Sequence, residues 1–450
     1  MSGMSPRILI LGAGPAGLAA GHRLQELGHT DFTLYEQNGH VGGESASFRD
    51  PAGFCWDLGG HVMFSKYDYV HELHESLLGD EVTTLRREAW IRMCGRDVPY
   101  PFQNHLKHLP PQMAADCLAG LAAAEQAGGT PRNFREWIQM QMGQGIARHF
   151  MFPYNEKVWA HPLEDMSASW IAERVSRVSF EEVQKHMRED APQPWGPNSV
   201  FRYPRSGGFQ EPFRRLGLRL SPHLRLNCAV QSVDCLAKTV MLPDGTRDRY
   251  DFLITTAPLD LFCRLTEHLP RAVSRRAQEL KRSGVLAVGI GLNRRLTATK
   301  CWVYFPEKEY IFNRLTYLSN YSPDITPDPE NCAALLCEVT YSEHKPVDKT
   351  SVVRDVIGGL VAAGVLAEAD RKHIVSTHVI DAEYGYPVPT LERDVILEYV
   401  QAELERREIF SRGRFGAWKY EIGNSDHAIM MGKEIVDRLL TGAEETVFHG

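Results

Sequence analysis

Gly12-Ala13-Gly14-Pro15-Ala16-Gly17 stands between a branched apolar run, Ile8-Leu9-Ile10-Leu11, and a helical pattern, and Glu36 follows roughly twenty residues on at the close of a second strand pattern. Glycines at that spacing let a backbone turn tightly and approach a pyrophosphate at a helix N-terminus, while an acid at the next strand end accepts from a ribose hydroxyl. An ordinary strand-to-helix turn accounts for the glycines but leaves Glu36 and the following Gly42-Gly43 without a purpose. The spacing therefore predicts a bound dinucleotide, held by Gly12, Gly14, Gly17, Glu36 and Gly43.

The elements that must position this loop lie in a chain of 450 residues, 43% of them hydrophobic and 10% aromatic, enough for two or three domains with a full core. A net charge of -7 argues against a nucleic-acid or anionic-membrane surface and confines any phosphate site to a local pocket. The nine cysteines are odd in number and form no Cys-x-x-Cys pair, so neither a disulfide framework nor a metal site is expected, and a reducing cytoplasm fits best. The apolar opening run to Ala20 carries glycines at phosphate-loop spacing, which assigns it to the fold and not to a secretion signal; no other stretch reaches transmembrane length.

Changes of pattern divide the chain. Residues 69–188 are read as helix-rich, punctuated by Pro99, Pro101, Pro110, Pro111, Gly128, Gly129 and Pro131. From Leu224 to Thr256 short alternating strands follow, with Asp244-Gly245 as a hairpin turn. Runs at Val285–Leu292, Cys301–Phe305, Leu315–Tyr321 and Ala333–Thr340 predict an antiparallel sheet, and charged helices are expected from Ser351 and Thr390. The last segment reads as a Gly-Asn-Ser-Asp loop that starts a helix from Gly423. The fold class is α/β: a Rossmann-like cofactor domain (1–68, 197–262 and 409–450), a helical insert (69–196) and an antiparallel substrate domain (263–408).

Gly42-Gly43, Phe48 and Trp56-Asp57-Leu58-Gly59-Gly60-His61 resemble the pattern by which flavoproteins hold FAD. Further segments are more specific: Val98-Pro99-Tyr100-Pro101-Phe102-Gln103-Asn104, Pro153-Tyr154-Asn155-Glu156-Lys157-Val158-Trp159-Ala160, Asn320-Tyr321-Ser322-Pro323, and Gly413-Arg414-Phe415-Gly416-Ala417-Trp418-Lys419-Tyr420-Glu421-Ile422-Gly423-Asn424. In order and extent they resemble the UDP-galactopyranose mutase family, in its eukaryotic-type branch. The pattern departs from the family at Phe152, Glu156 and Ala428.

The resemblance implies an isomerase that interconverts the pyranose and furanose forms of a nucleoside diphosphate hexose, most simply UDP-galactose, with reduced FAD attacking the anomeric carbon through N5. By motif position it implies His61, Arg174 and Arg314 as catalytic groups, with the arginines on the diphosphate. Tyr304, Tyr321, Tyr386 and Tyr420 resemble a phenolic cage that donates to phosphate without adding charge, and Asn198 would face the sugar. Tyr100, Phe102, Gln103, Asn155 and Trp159 would hold the nucleoside, although the same Tyr-Pro-Phe-Gln segment also suits a proline-stiffened core turn. Gly60, His61, Gly423, Asn424 and Asp426 would contact the flavin, with Asn424 reaching the substrate as well. Arg87 and Arg414 resemble contacts to NADPH or NADH, a transient reductant, since no second glycine fingerprint is present. Two other classes share these features. A flavin oxidase or desaturase of the amine oxidase or protoporphyrinogen oxidase type would need an apolar channel, which the arginines oppose; a silent FAD- or nucleotide-sugar-binding protein would have no need of His61. A related mutase on another nucleotide sugar stays open, as does the oligomeric state.

Overall fold

The computed structural model describes residues 5–171, 175, 178–190 and 199–449. At its centre is a five-stranded parallel sheet in the order Ile409–Ser411, Phe252–Thr255, Ile8–Leu11, Phe32–Tyr35, Leu224–Arg225. Ile8–Leu11 is buried along its whole length, as a strand covered on both faces must be, which explains why it reads as an unbroken apolar run. The chain then turns through Gly12 into the helix Pro15–Glu26, whose first position is a proline with its backbone angle already set. The C-terminal helix Ser425–Thr441 packs against this helix so closely that a Cβ on Gly432 would lie 2.1 Å from the Ala16 carbonyl oxygen.

A seven-stranded sheet forms the second layer, ordered Ile374–Val388, Lys281–Leu292, Ala333–Tyr341, Arg314–Tyr317, Trp302–Tyr304, Ala89–Met93, Arg96–Pro99. It is antiparallel except where Trp302–Tyr304 runs parallel to Ala89–Met93. Its registers place Glu338 opposite Arg314 and Arg314 opposite Tyr304, so these three side chains occupy one row across adjacent strands. The expected strands are present, but the segment expected to end at Tyr321 leaves the sheet after Tyr317 in a short 3-10 turn, Leu318–Asn320.

Two findings correct the sequence reading. The segment expected to be helical holds three strands, Val82–Arg86, Ala89–Met93 and Arg96–Pro99, and the last two extend the seven-stranded sheet. Trp90, Ile91 and Met93 suit a pleated surface, and Gly95 at φ +69 permits the turn between them. The strand Ile374–Val388 was not anticipated; half-buried and exposed positions alternate along most of it, and polar Ser376 and His378 fall among the half-buried positions, which blurs the apolar signal. The helices of the insert, Pro111–Gln126, Phe134–Ile146 and Phe152–Trp159, enclose a separate core that includes Phe102, Phe150 and Trp159. The expected charged helices are Val352–Ala362 and Arg393–Glu405.

Candidate functional site

The glycine loop has space for backbone alone. A Cβ on Gly12, at φ +102, would lie 2.2 Å from Thr256 Oγ1, one on Gly17 would lie 2.0 Å from the Gly12 carbonyl oxygen, and one on Gly43 would lie 3.2 Å from Gly14 Cα. Glu36, buried at the end of its strand, accepts from the Ala13 N–H at 2.8 Å and from the Asn38 N–H and Nδ2 at 2.9 and 2.8 Å. Three hydrogen bonds leave one of a carboxylate's roughly four acceptor positions for a ribose hydroxyl. Facing this loop, the 3-10 turn Gly43–Ser45 is tied in by the Gly42 N–H, which donates to the Ala13 carbonyl at 2.8 Å.

Buried polar atoms without partners mark where a polar ligand belongs, since each left unsatisfied costs about 1–3 kcal/mol. Among the described residues these include His61 Nδ1, Thr316 Oγ1 and Asp426 Oδ1. Asp426 follows the Asn424 cap of the C-terminal helix, and its Oδ1 lies 3.2 Å from His427 Nδ1. The residues therefore fit FAD: a glycine cradle for the pyrophosphate, Glu36 for a ribose, Asp426 for a hydroxyl chain, and an imidazole with a free nitrogen. Ala428, buried one turn into the same helix, supplies no polar group.

His61 stacks on Phe209, with ring centroids 5.0 Å apart and planes 25° apart. Burial, opposed by Glu338 and reinforced by Arg314 and Arg414, pushes its pKa down to about 4, so the imidazole is neutral at physiological pH. Next to it, the Gly60 N–H donates to Glu338 Oε1 at 2.8 Å. The same oxygen accepts from Arg314 Nε at 3.1 Å and from Arg314 Nη2. Burial works against the charge on Glu338, but the guanidinium and the Gly60 amide hold its carboxyl below the usual value. Arg314 keeps 24% of its side chain accessible, and its Nη1 has no hydrogen bond among the described residues.

Aromatic rings line the space beyond Arg314. Tyr304 lies 5.1 Å from Tyr100 and 5.3 Å from Tyr154, and its hydroxyl accepts from Trp302 Nε1 at 2.8 Å. Tyr420 packs edge-on to Trp159 at 4.8 Å and Tyr386 at 5.9 Å. Burial raises the pKa of Tyr100, Tyr304 and Tyr386, so these phenols stay protonated donors. Tyr321 packs its ring against Phe201 and Tyr203, fully buried, with its hydroxyl unpartnered among the described residues and within electrostatic reach of Arg314 and Tyr304. Phe102 is also core, stacked on Phe150 at 4.7 Å, with Gln103 and Asn104 buried beside it, so the proline-stiffened turn and the platform offered by Tyr100 coexist. Asn155 Nδ2 donates to the Met151 carbonyl at 2.7 Å, which leaves its oxygen as an acceptor.

Arg414 is built into the frame: Nη2 donates to the Gly385 carbonyl at 3.0 Å, Nη1 to the Gly423 carbonyl at 2.9 Å, and Nε lies 3.3 Å from Glu44 Oε2. Arg87 is buried with its guanidinium 5.8 Å from the centre of the Tyr100 ring. Arg174 and Asn198 lie outside the described residues.

Sequence reasoning missed Glu338, Thr316 and Tyr154 as site residues. The sheet register brings Glu338 and Thr316 to Arg314 and Gly60, and nothing local in an apolar strand announces them. Tyr154 stood inside a quoted motif and could have been found from its spacing to Asn155.

A family model described as flavin containing amine oxidoreductase matches residues 15–405. A crystal structure of reduced UDP-galactopyranose mutase superimposes with a TM-score of 0.95 at 40% identity, over 99% of this chain and 96% of that one. Cyclohexylamine oxidase from Brevibacterium oxydans shares the fold, with a TM-score of 0.69 at 15% identity over 97% of this chain and 99% of that one. The 15-cis-phytoene desaturase of Synechococcus elongatus is 35% identical over 71 residues, which span 16% of this chain and only 15% of the desaturase. No helix among the described residues is long and apolar enough to cross a membrane.

Proposed function

We propose, for a chain that belongs to the UDP-galactopyranose mutases within the flavin-containing amine oxidoreductases, that it interconverts the pyranose and furanose forms of UDP-galactose. One observation carries the reading: Arg314 stands in a cross-strand row with Tyr304, beside Gly60 and His61, with Nη1 left open for an anion. An oxidase of amines or carotenoids has no use for a guanidinium at that place.

Reduced FAD supplies, when bound, a nucleophilic N5 for the anomeric carbon. The chain's own groups do the rest. Arg314, with Arg174 as its expected counterpart, takes the charge of the departing diphosphate. The hydroxyls of Tyr304 and Tyr386, kept protonated by burial, and that of Tyr420 donate to its oxygens without adding a second buried charge. Tyr100, Gln103, Asn155 and Trp159 hold the nucleoside, and the Trp159, Tyr386 and Tyr420 rings keep water from the opened sugar. His61, held neutral by its burial, offers a hydrogen bond next to the flavin ring without altering the site's charge. NADPH or NADH serves as the visiting reductant. Arg87 meets it, while Arg414 contributes chiefly by clamping Gly385 to Gly423.

The test is anaerobic incubation of dithionite-reduced protein with UDP-galactofuranose, with oxidised protein as control and product followed by chromatography. Conversion to UDP-galactopyranose in the reduced sample alone is expected. A yellow, fully reducible protein that converts nothing overturns UDP-galactose as the substrate.

A further inference from the structure

Glu338 is 2% exposed on the strand Ala333–Tyr341, and one of its oxygens collects three donors from two elements distant in sequence. Two come from Arg314, directly opposite in the sheet register. The third is the Gly60 amide, 278 residues away in the loop that carries His61. Arg314 is held by one edge, Nε and Nη2, which leaves Nη1 and the second N–H of Nη2 as its free edge. A Cβ on Gly60 would lie 3.5 Å from Arg314 Cζ and 2.5 Å from Thr316 Oγ1, so loop and guanidinium are already in contact, and only a residue without a side chain fits between them.

We propose that Glu338 is the positioning residue of this site: it orients the free edge of Arg314 toward the diphosphate and locks that edge in register with the Gly60–His61 loop. This rests on the mutase reading above. An arginine side chain has several rotatable bonds, and an untethered one samples many directions before it meets an anion. With one edge tied to a buried carboxylate, its direction is set before substrate arrives, which is the kind of placement whose loss lowers turnover more than binding. The shared oxygen adds a second constraint: a shift of Arg314 along the sheet pulls on the amide beside His61.

The experiment uses FAD-loaded, full-length protein with Glu338→Gln, Glu338→Ala, Arg314→Ala and the double variant Arg314→Ala/Glu338→Gln. Glutamine keeps an oxygen for the Gly60 amide but loses the charge that grips Arg314. Glu338→Gln is expected to lower kcat for UDP-galactofuranose about 10- to 100-fold with KM changed far less. In the Arg314→Ala background the same substitution should add little, because the group it positions is gone. Hydrogen exchange of the peptide containing Gly60 gives a readout independent of turnover. It should stay slow in Glu338→Gln and Arg314→Ala and become fast in Glu338→Ala. An unchanged kcat in Glu338→Gln, additive losses in the double variant, or slow Gly60 exchange in Glu338→Ala each overturns the proposal. If the wild type turns over no UDP-sugar, the mutase reading fails instead, and Gly60 exchange alone decides whether Glu338 ties the loop.

Discussion

The Tyr203 hydroxyl donates to Asp57 Oδ2 at 2.6 Å, and both residues are fully buried. Asp57 Oδ1 accepts from Ser47 Oγ at 2.6 Å and from the Phe209 N–H at 3.0 Å, so one carboxylate joins four stretches of chain beneath the His61 loop. Burial outweighs these donors and pushes the Asp57 carboxyl up to about 6. The folded state therefore binds this proton more tightly than the unfolded chain, and the contribution of Asp57 to stability falls as pH rises from about 4 to about 6. Tyr203→Phe removes one donor from a charged acceptor. We expect a loss of about 1–3 kcal/mol at pH 7 in urea titrations and a decline that extends to higher pH. Flavin fluorescence should appear at lower urea than in the wild type, because Phe209 supports His61 from this same cluster. A midpoint equal to the wild type's at pH 7 would show that the phenol contributes nothing.

Gly17→Ala should give a protein that folds poorly or emerges colourless. Its methyl would stand 2.0 Å from the Gly12 carbonyl oxygen, and neither backbone can retreat while the helix starts at Pro15 and the strand ends at Leu11. The ratio of flavin to protein absorbance after purification checks this. Gly28→Ala is the control: at φ +71 it is strained, but no atom lies within 4 Å of its Cβ, so a modest loss of stability with full flavin content is expected.

The contrast between Gly17 and Glu338 explains how much of the molecule was legible. The cofactor loop is largely local: strand, three glycines, helix and Glu36 lie within one short stretch, and the contacts of Gly17 to Gly12 and of Glu36 to Ala13 close within it. The strands Lys281–Leu292 and Ala333–Tyr341 were equally readable, because both are almost continuously buried. Glu338 is a single acid inside such a strand, and its meaning comes only from register with Arg314 and from Gly60 in another layer. The strands within residues 82–99 were hidden for a related reason. They are short and only partly buried, and their partners lie far along the chain: Val82–Arg86 pairs with Val200–Pro204, and Ala89–Met93 with Trp302–Tyr304. Tyr321 was found through a motif, but the packing of its ring on Phe201 and Tyr203 comes from segments distant in sequence and could not be read from it.

His74, on the helix Asp68–Leu78, sets an acid limit that can be measured. Its Nε2 is buried without a partner, and burial, helped by His71 and Arg202 and opposed by Asp426, pushes its pKa from 6.5 down to about 4. Between those values the unfolded chain binds a proton that the folded protein refuses. The contribution of His74 is thus intact above about pH 6.5 and declines as pH falls toward 4. By pH 5 the decline amounts to about 2 kcal/mol. His74→Leu should show that much less loss of stability between pH 7 and pH 5 in parallel urea titrations. A variant that follows the wild-type pH dependence would place the acid limit on other groups.

Phe152 and Glu156, two of the three departures from the family pattern, meet on Arg135: its guanidinium lies 4.2 Å from the Phe152 ring centre and its Nη1 lies 3.5 Å from Glu156 Oε1. They stand one turn apart on Phe152–Trp159 and are partly exposed, whereas Asn155 and Trp159 on the same helix are buried. Arg135 and Glu156 are 39% and 41% exposed, so the pair contributes little, up to about 1 kcal/mol. Phe152 and Glu156 thus direct their contacts to Arg135, while Asn155 turns its amide to the Met151 carbonyl within the helix. Glu156→Gln and Arg135→Ala are expected to keep the ratio of UDP to CDP affinity of the oxidised protein within about twofold of wild type, since neither removes a contact to the base. Asn155→Ala, by contrast, should lower UDP affinity about tenfold or more, because it removes a buried amide assigned to the nucleoside. Competitive displacement of a fluorescent UDP analogue measures all three. A selectivity change in Glu156→Gln as large as that in Asn155→Ala would return the outer face of the helix to base recognition.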